Sequence, residues 1–282
     1  MWLELSQVFQ NLSHNPDVRA IVLTGAGEKA FTAGLDVKAA SQGWIAGEGG
    51  NTDPARQAAF IRQHVASFQD CISAIERCEK PVIVAMHGFA LGLAIDVSTA
   101  ADVRLCSRDV RFAVKEVDIG LAADIGTLSR LPKVVGNYGW VKEVALTARI
   151  FGADEALRVG FVNSVYDKKE DLVRAAMELG ALMASKSPVA VQGTKEILNW
   201  SRDHSVQDGE VFFYSSICVL MALLTDQVFA ILLSGTARLC RPRMYPRRCY
   251  LGSRSGLRRL RSCNVFIVYA GVRLFSSFVL RC

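Results

Sequence analysis

Apolar residues along the chain follow two kinds of spacing. Trp2, Leu5, Val8, Phe9 and Leu12 fall at three- and four-residue steps, which predicts a helix over 2–14. No cap, turn or strand precedes it, so the chain is expected to start inside an element. The run Arg19-Ala20-Ile21-Val22-Leu23-Thr24-Gly25 reads as a short buried strand ending at glycine. Val82-Ile83-Val84-Ala85-Met86 is a second, entered by Pro81 and followed by His87-Gly88. Weaker strand patterns lie at 103–106 and 112–114, and another strand is read at 161–166. Between these runs, Phe60, Ile61, His64, Val65, Phe68, Ile72 and Ile75 mark a helix over 55–77. Similar patterns cover 137–148, 154–159 and 170–186. Ser187-Pro188 is a cap followed by proline at the first helical position, and it opens a helix over 189–201. Strands alternating with helices place the chain in the α/β class. The Gly-rich stretch 43–53 is expected to be a mobile loop.

Composition changes this picture little until it is divided. The chain has 282 residues, 51% apolar and 21% charged, which excludes a disordered, collagen-like or small disulfide-stapled protein. Its formal charge of +6 would suit an anionic partner. From Glu210 onward, however, there are eleven Arg, no Lys and two acids, a net of +9. The first 209 residues hold 22 bases and 25 acids, a net of −3. The same tail carries five of the eight cysteines. Three scattered cysteines in the body fit a reducing compartment. No CxxC pair or Cys/His cluster appears, so no metal is expected. No P-loop and no GxGxxG after a strand is found, so nucleotide sites of those types are not supported.

Candidate chemistry sits in two turns and three acids. Phe31-Thr32-Ala33-Gly34-Leu35-Asp36 and His87-Gly88-Phe89-Ala90-Leu91-Gly92-Leu93-Ala94-Ile95-Asp96 each follow an apolar strand. Such turns offer free backbone N–H groups, and two aimed at one point can bind a developing oxyanion. They can equally be plain turns. Asp96 lies in the apolar run 91–97, at the start of a buried helix. Glu116 follows Phe112-Ala113-Val114-Lys115, and Asp124 lies within Ile119-Gly120-Leu121-Ala122-Ala123-Asp124-Ile125-Gly126. Acids in apolar surroundings point to a pocket of coupled carboxyls. The competing reading pairs Glu116 with Lys115 or Arg111 and uses the aspartates as helix caps. His64 and His87 read as packing or surface residues. Arg130 and Lys133 read either as contacts to anionic phosphates or as a solvated helix face.

These residues resemble the enoyl-CoA hydratase/isomerase (crotonase) superfamily. The resemblance runs from Ala20–Gly25 through the first turn to Lys80-Pro81-Val82, Gly88 and Asp96. The stretch Val114-Lys115-Glu116-Val117-Asp118-Ile119-Gly120-Leu121-Ala122-Ala123-Asp124-Ile125-Gly126-Thr127-Leu128 is more specific. With Arg130-Leu131-Pro132-Lys133, Ser187-Pro188-Val189 and Ser201-Arg202-Asp203-His204, it resembles the Δ(3,5)-Δ(2,4)-dienoyl-CoA isomerases. The resemblance implies a crotonase-like ββα spiral and a catalytic set Asp96, Glu116 and Asp124. It implies oxyanion and substrate contacts from Ala33, Gly34, Leu35, Asp36 and Val37, and from Leu93 or Ala94. A proton would leave C2 of a 3,5-dienoyl-CoA and another would enter at C6, giving the 2,4-diene of fatty-acid β-oxidation. Glu116 and Asp124 would share the shuttle and Asp96 would tune them. CoA belongs to the substrate, and no separate cofactor is implied. The alternatives are an impaired isoform that binds acyl-CoA or family subunits, and an enoyl-CoA hydratase. One departure stands out. The family usually has consecutive glycines where this chain has Gly92-Leu93-Ala94-Ile95.

The resemblance covers 1–209 as one domain with its N-terminal strands missing, which would leave a sheet edge exposed. It stops after Asp208-Gly209. The divergent Arg/Cys-rich tail 210–282 has three readings: a membrane span at 211–233, a basic tail for membrane or RNA, or an altered C-terminus. Missing lysine and excess cysteine favour the last, so neither a membrane nor a nucleic-acid partner is expected. Family resemblance implies a trimer or hexamer in the peroxisome or mitochondrion. No targeting signal is found in the chain, which leaves the cytoplasm as the alternative.

Overall fold

The computed structural model describes residues 2–34 and 53–210, and the backbone of 263–269 and 277–279. Most of the Gly-rich loop, the apolar stretch 211–233 and three expected site residues, Leu35, Asp36 and Val37, lie outside the described residues. The chain forms two units, 1–196 with 260–282, and 197–259.

The first unit opens with α1 (Trp2–His14), β1 (Val18–Gly25), β2 (Ala30–Thr32) and the long α2 (Pro54–Arg77). Asp53 caps α2, accepting from the N–H groups of Ala55 and Arg56, with Pro54 at the first helical position. Then come β3 (Val82–Met86), β4 (Phe89–Leu91), α3 (Leu93–Thr99), β5 (Val103–Ser107) and β6 (Arg111–Ala113). A 3₁₀ turn at Glu116–Ile119 leads to α4 (Thr127–Val134) and α5 (Tyr138–Thr147). The series continues with β7 (Phe151–Gly152), α6 (Ala153–Arg158), β8 (Ser164–Tyr166), α7 (Lys169–Ala184) and α8 (Pro188–Ser201). Much later, β9 (Cys263–Tyr269) and β10 (Ser277–Val279) return to the first unit.

Two sheets result. The larger has the order β10-β9-β1-β3-β5-β8, and β1, β3, β5 and β8 run parallel. The smaller has the order β2-β4-β6-β7, parallel except for β7. β1 and β3 lack polar alternation because both faces are covered. Ile21, Leu23, Val82, Val84 and Met86 join the main core with α1, α2 and α3. Ala20, Val22, Ile83 and Ala85 face the other way, onto Leu172, Ala176 and Ala184 of α7. Under the smaller sheet, Phe112, Phe151, Phe161 and Trp140 pack with ring centres 5.0–5.9 Å apart.

The structure departs from the sequence reading in several places. β4 lies inside, and β2 overlaps, the segments read as turns, and β2 pairs with β4. Strands of three residues are too short to show a period. The helix α4 was hidden by Pro132 within it and Gly126 before it. Finally, the edge of β1 is not open. β9 pairs antiparallel along it from Val18↔Tyr269 to Gly25↔Cys263, and β10 pairs with β9.

The second unit is described only over 197–210. There the Trp200 and His204 rings stack at 3.6 Å, and Asp208 Oδ2 accepts from the Ser205 hydroxyl at 2.6 Å. Among the described residues, no helix is long and apolar enough to cross a membrane.

Candidate active site

The two glycine turns meet. Gly34 has φ +87°, and a Cβ there would lie 3.1 Å from the Leu91 carbonyl oxygen. Gly92 has φ +54°, and a Cβ there would lie 3.2 Å from Glu116 Oε1 and 3.9 Å from the Gly34 Cα. Only glycine suits both the dihedral and the approach. Gly92 donates its N–H to the Ala113 carbonyl at 2.9 Å, which ties the second turn to β6. α3 starts at the next residue. The N–H groups of Leu93 and Ala94 belong to its first turn, where no intrahelical carbonyl precedes them.

Beside these turns lies a cavity of about 260 Å³. Asp96, Glu116 and Asp124 all line it, as do Ala33, Gly34 and Leu93. Ala94 does not; it is fully buried in α3. The far wall comes from α2 through Ile61, His64, Val65 and Phe68. Ile119, Leu121 and Ile125 close it from the segment between β6 and α4. The lining is mostly apolar, with carboxyls as its main polar groups.

Each acid has a distinct setting. Asp96 is 2% exposed, and its Oδ1 accepts from both the N–H and the hydroxyl of Thr127, each at 2.7 Å. Burial pushes its carboxyl up to about 7, against the Thr127 hydroxyl; the Glu116 charge adds to the rise, and the Thr127 N–H and Arg130 oppose it. Glu116 is half-buried, and its Oε2 has no hydrogen-bond partner among the described residues. Burial raises it too, the Glu116 and Lys115 backbone groups oppose the rise, and Asp124 adds to it. Asp124 is exposed, and Gln69 Nε2 holds its carbonyl at 2.6 Å. Lys115 turns to Asp118 at 2.7 Å and Arg111 lies over the Phe89 ring, so the ion pair expected for Glu116 goes elsewhere. Asp96 satisfies both readings of it at once. It lines the pocket, and it caps a helix, though not its own.

Other expectations change. His64 lines the cavity, with its ring edge-on to Trp2 at 5.5 Å and stacked on Phe60 at 6.4 Å. Its place on the apolar stripe with Ile61, Val65 and Phe68 was the available signal. His87 is buried in packing, with Nε2 2.9 Å from the Gly27 carbonyl oxygen. Arg130 does not lie on a solvated helix face. Its Nε meets Glu76 Oε2 at 2.9 Å and its Nη2 donates to Ser73 Oγ at 2.7 Å. Lys133 is exposed.

The enoyl-CoA hydratase/isomerase profile matches residues 1–210. The chain belongs to the enoyl-CoA hydratase/isomerase family. It is 48% identical over 207 residues to the mitochondrial Δ(3,5)-Δ(2,4)-dienoyl-CoA isomerase of Homo sapiens, covering 73% of this chain and 62% of that one. It therefore spans less than two thirds of that relative's length. The peroxisomal dienoyl-CoA isomerase of Arabidopsis thaliana is 42% identical over 74% of each chain. A structure from Thermobifida fusca described as an enoyl-CoA hydratase, in complex with acetoacetyl-CoA, superposes with a TM-score of 0.68 at 27% identity. It covers 79% of this chain and 85% of that one. A Streptomyces coelicolor enoyl-CoA hydratase gives 0.68 at 29% identity, covering 83% and 80%. The fold is therefore the crotonase fold.

Proposed function

We propose that this chain isomerises a 3,5-dienoyl-CoA to the 2,4-dienoyl-CoA. The observation that carries the reading is Asp124, a third carboxylate on the same cavity as Asp96 and Glu116. Likeness to dienoyl-CoA isomerases at 42–48% identity supports it. The reaction needs a base at C2 and an acid at C6. The C2–H pair becomes the C2–C3 double bond, the C3–C4 pair moves to C4–C5, and the C5–C6 pair takes the new proton at C6. Glu116 and Asp124 serve the two ends of the diene. Burial raises the Glu116 carboxyl, which makes it a better proton acceptor than an exposed glutamate.

Negative charge collects on the thioester oxygen as the C2 proton leaves. Backbone N–H groups at the glycine turns stabilise it; one such donor is typically worth about 2.7–4 kcal/mol. Leu93, where the family usually has glycine, keeps its N–H, and its side chain narrows the apolar wall. That wall receives the acyl chain. Compartments follow the relatives, mitochondrion or peroxisome.

The test offers the purified protein a 3,5-dienoyl-CoA and follows the absorbance of the conjugated product. Turnover lost in Asp124→Asn, with the fold retained by circular dichroism, is the expected result. A folded wild-type protein that binds acyl-CoA without turnover would leave a binder, and water addition to an enoyl-CoA would make it a hydratase.

A further inference from the structure

α4 lacks a side-chain cap of its own. Its cap residue is Gly126, which has no side-chain oxygen to offer. The missing acceptor comes from another helix, since Asp96 of α3 takes the N–H of Thr127, the first residue of α4. The same oxygen, Oδ1, also takes the Thr127 hydroxyl, and both distances are 2.7 Å. Thr127 is fully buried, so water does not compete for these bonds.

A carboxyl oxygen that accepts two short hydrogen bonds is a poor place for a proton. Protonating Oδ1 would displace one donor and strand it in a dry site, at the cost of an unsatisfied polar group. The proton is therefore directed to the other oxygen. We infer that Thr127 is a positioning residue which, by holding Oδ1 of Asp96 twice, reserves Oδ2 for the Asp96 proton and so sets the charge with which Asp96 tunes Glu116. This deepens the proposed function, on which it rests for its catalytic meaning.

The charged surroundings are consistent with it. Glu116 and Lys115 approach from the 3₁₀ turn, Asp124 from the loop before α4, and His64 from α2. Arg130 lies one turn along α4, held by Glu76 of α2. A Cβ at Gly126 would collide with the Arg130 guanidinium, so the glycine that cannot cap leaves room for the cation. Burial already drives Asp96 toward its neutral form, and the Thr127 hydroxyl is the strongest opposing influence.

The experiment reads the Asp96 carboxyl directly. Protein labelled with [4-¹³C]aspartate is titrated by infrared or NMR spectroscopy, and Asp96→Asn identifies the signal. Thr127→Val keeps the N–H and the shape but removes the hydroxyl. It is expected to raise the Asp96 midpoint by about one to two pH units. Thr127→Ala, which opens space instead of filling it, is expected to do the same. Thr127→Ser keeps the hydroxyl and is expected to titrate as the wild type does. A Thr127→Val titration that superimposes on the wild type overturns the inference, and so does a Thr127→Ser signal that moves with Thr127→Val. If the wild type turns over the dienoyl-CoA, the pH profile of kcat shifts with the midpoint while KM holds. Absence of turnover would sink the isomerase reading, yet the carboxyl titration would still decide the role of Thr127.

Discussion

Asp96 lines a pocket and caps a helix that begins 31 residues later in the chain. Its folded carboxyl titrates near 7, while an exposed aspartate titrates near 4. The folded state therefore binds a proton that the unfolded chain releases. Its contribution to stability is full below about pH 4 and is lost as pH rises through about 7. Asp96→Asn is expected to flatten the fall in denaturant midpoint between about pH 4 and 7, with Glu116 and Asp102, also raised, keeping part of the slope. Gly92→Ala is a second test at this scale. It places a Cβ at φ +54° and 3.2 Å from Glu116 Oε1. The expected cost is about 1–3 kcal/mol in denaturant unfolding, together with reduced turnover. The sequence showed the three acids because charges in apolar runs stand out. It did not show what Thr127 does, because a buried threonine looks the same whether it fills space or donates.

Elements explain why the walls of the site were harder to read. α2 contributes Ile61, His64, Val65 and Phe68 to the cavity, and further along Ser73 and Glu76 to Arg130. Its helical spacing was plain, but spacing alone does not say which face meets a ligand. β1 and β3 were legible because four or five apolar residues in a row need two covers. β2, β4 and β7 were not, because two or three residues carry no period. Glu76→Ala would leave Arg130, 11% exposed at its side chain, with its carboxylate partner removed. A loss of about 3 kcal/mol is expected in urea unfolding. Because Arg130 lowers the Asp96 midpoint, that variant should also shift the Asp96 carboxyl signal.

On the scale of the whole molecule, the net charge of +6 carried little functional information. The portion that resembles the family is at −3, and the positive charge belongs to the last 73 residues. Two short segments of that tail nevertheless take part in the fold. β9 pairs with the full length of β1, from Val18 to Gly25. Removal of residues 263–279 is expected to speed hydrogen exchange at the β1 amides and to promote self-association, measured by mass spectrometry and light scattering. Unchanged exchange would show that β1 does not depend on that partner. The sequence could not foretell this pairing, because strands so far apart share no local signal.

The position of β9 also sets an order in time. β1 leaves the ribosome early, and β3 and β5 can join it as they emerge. The strand that covers its other edge is not complete until Tyr269 has been made. Until then, the nascent sheet presents an unpaired row of backbone groups to whatever lies nearby. A chaperone that binds extended segments would have most of the synthesis time in which to act on it.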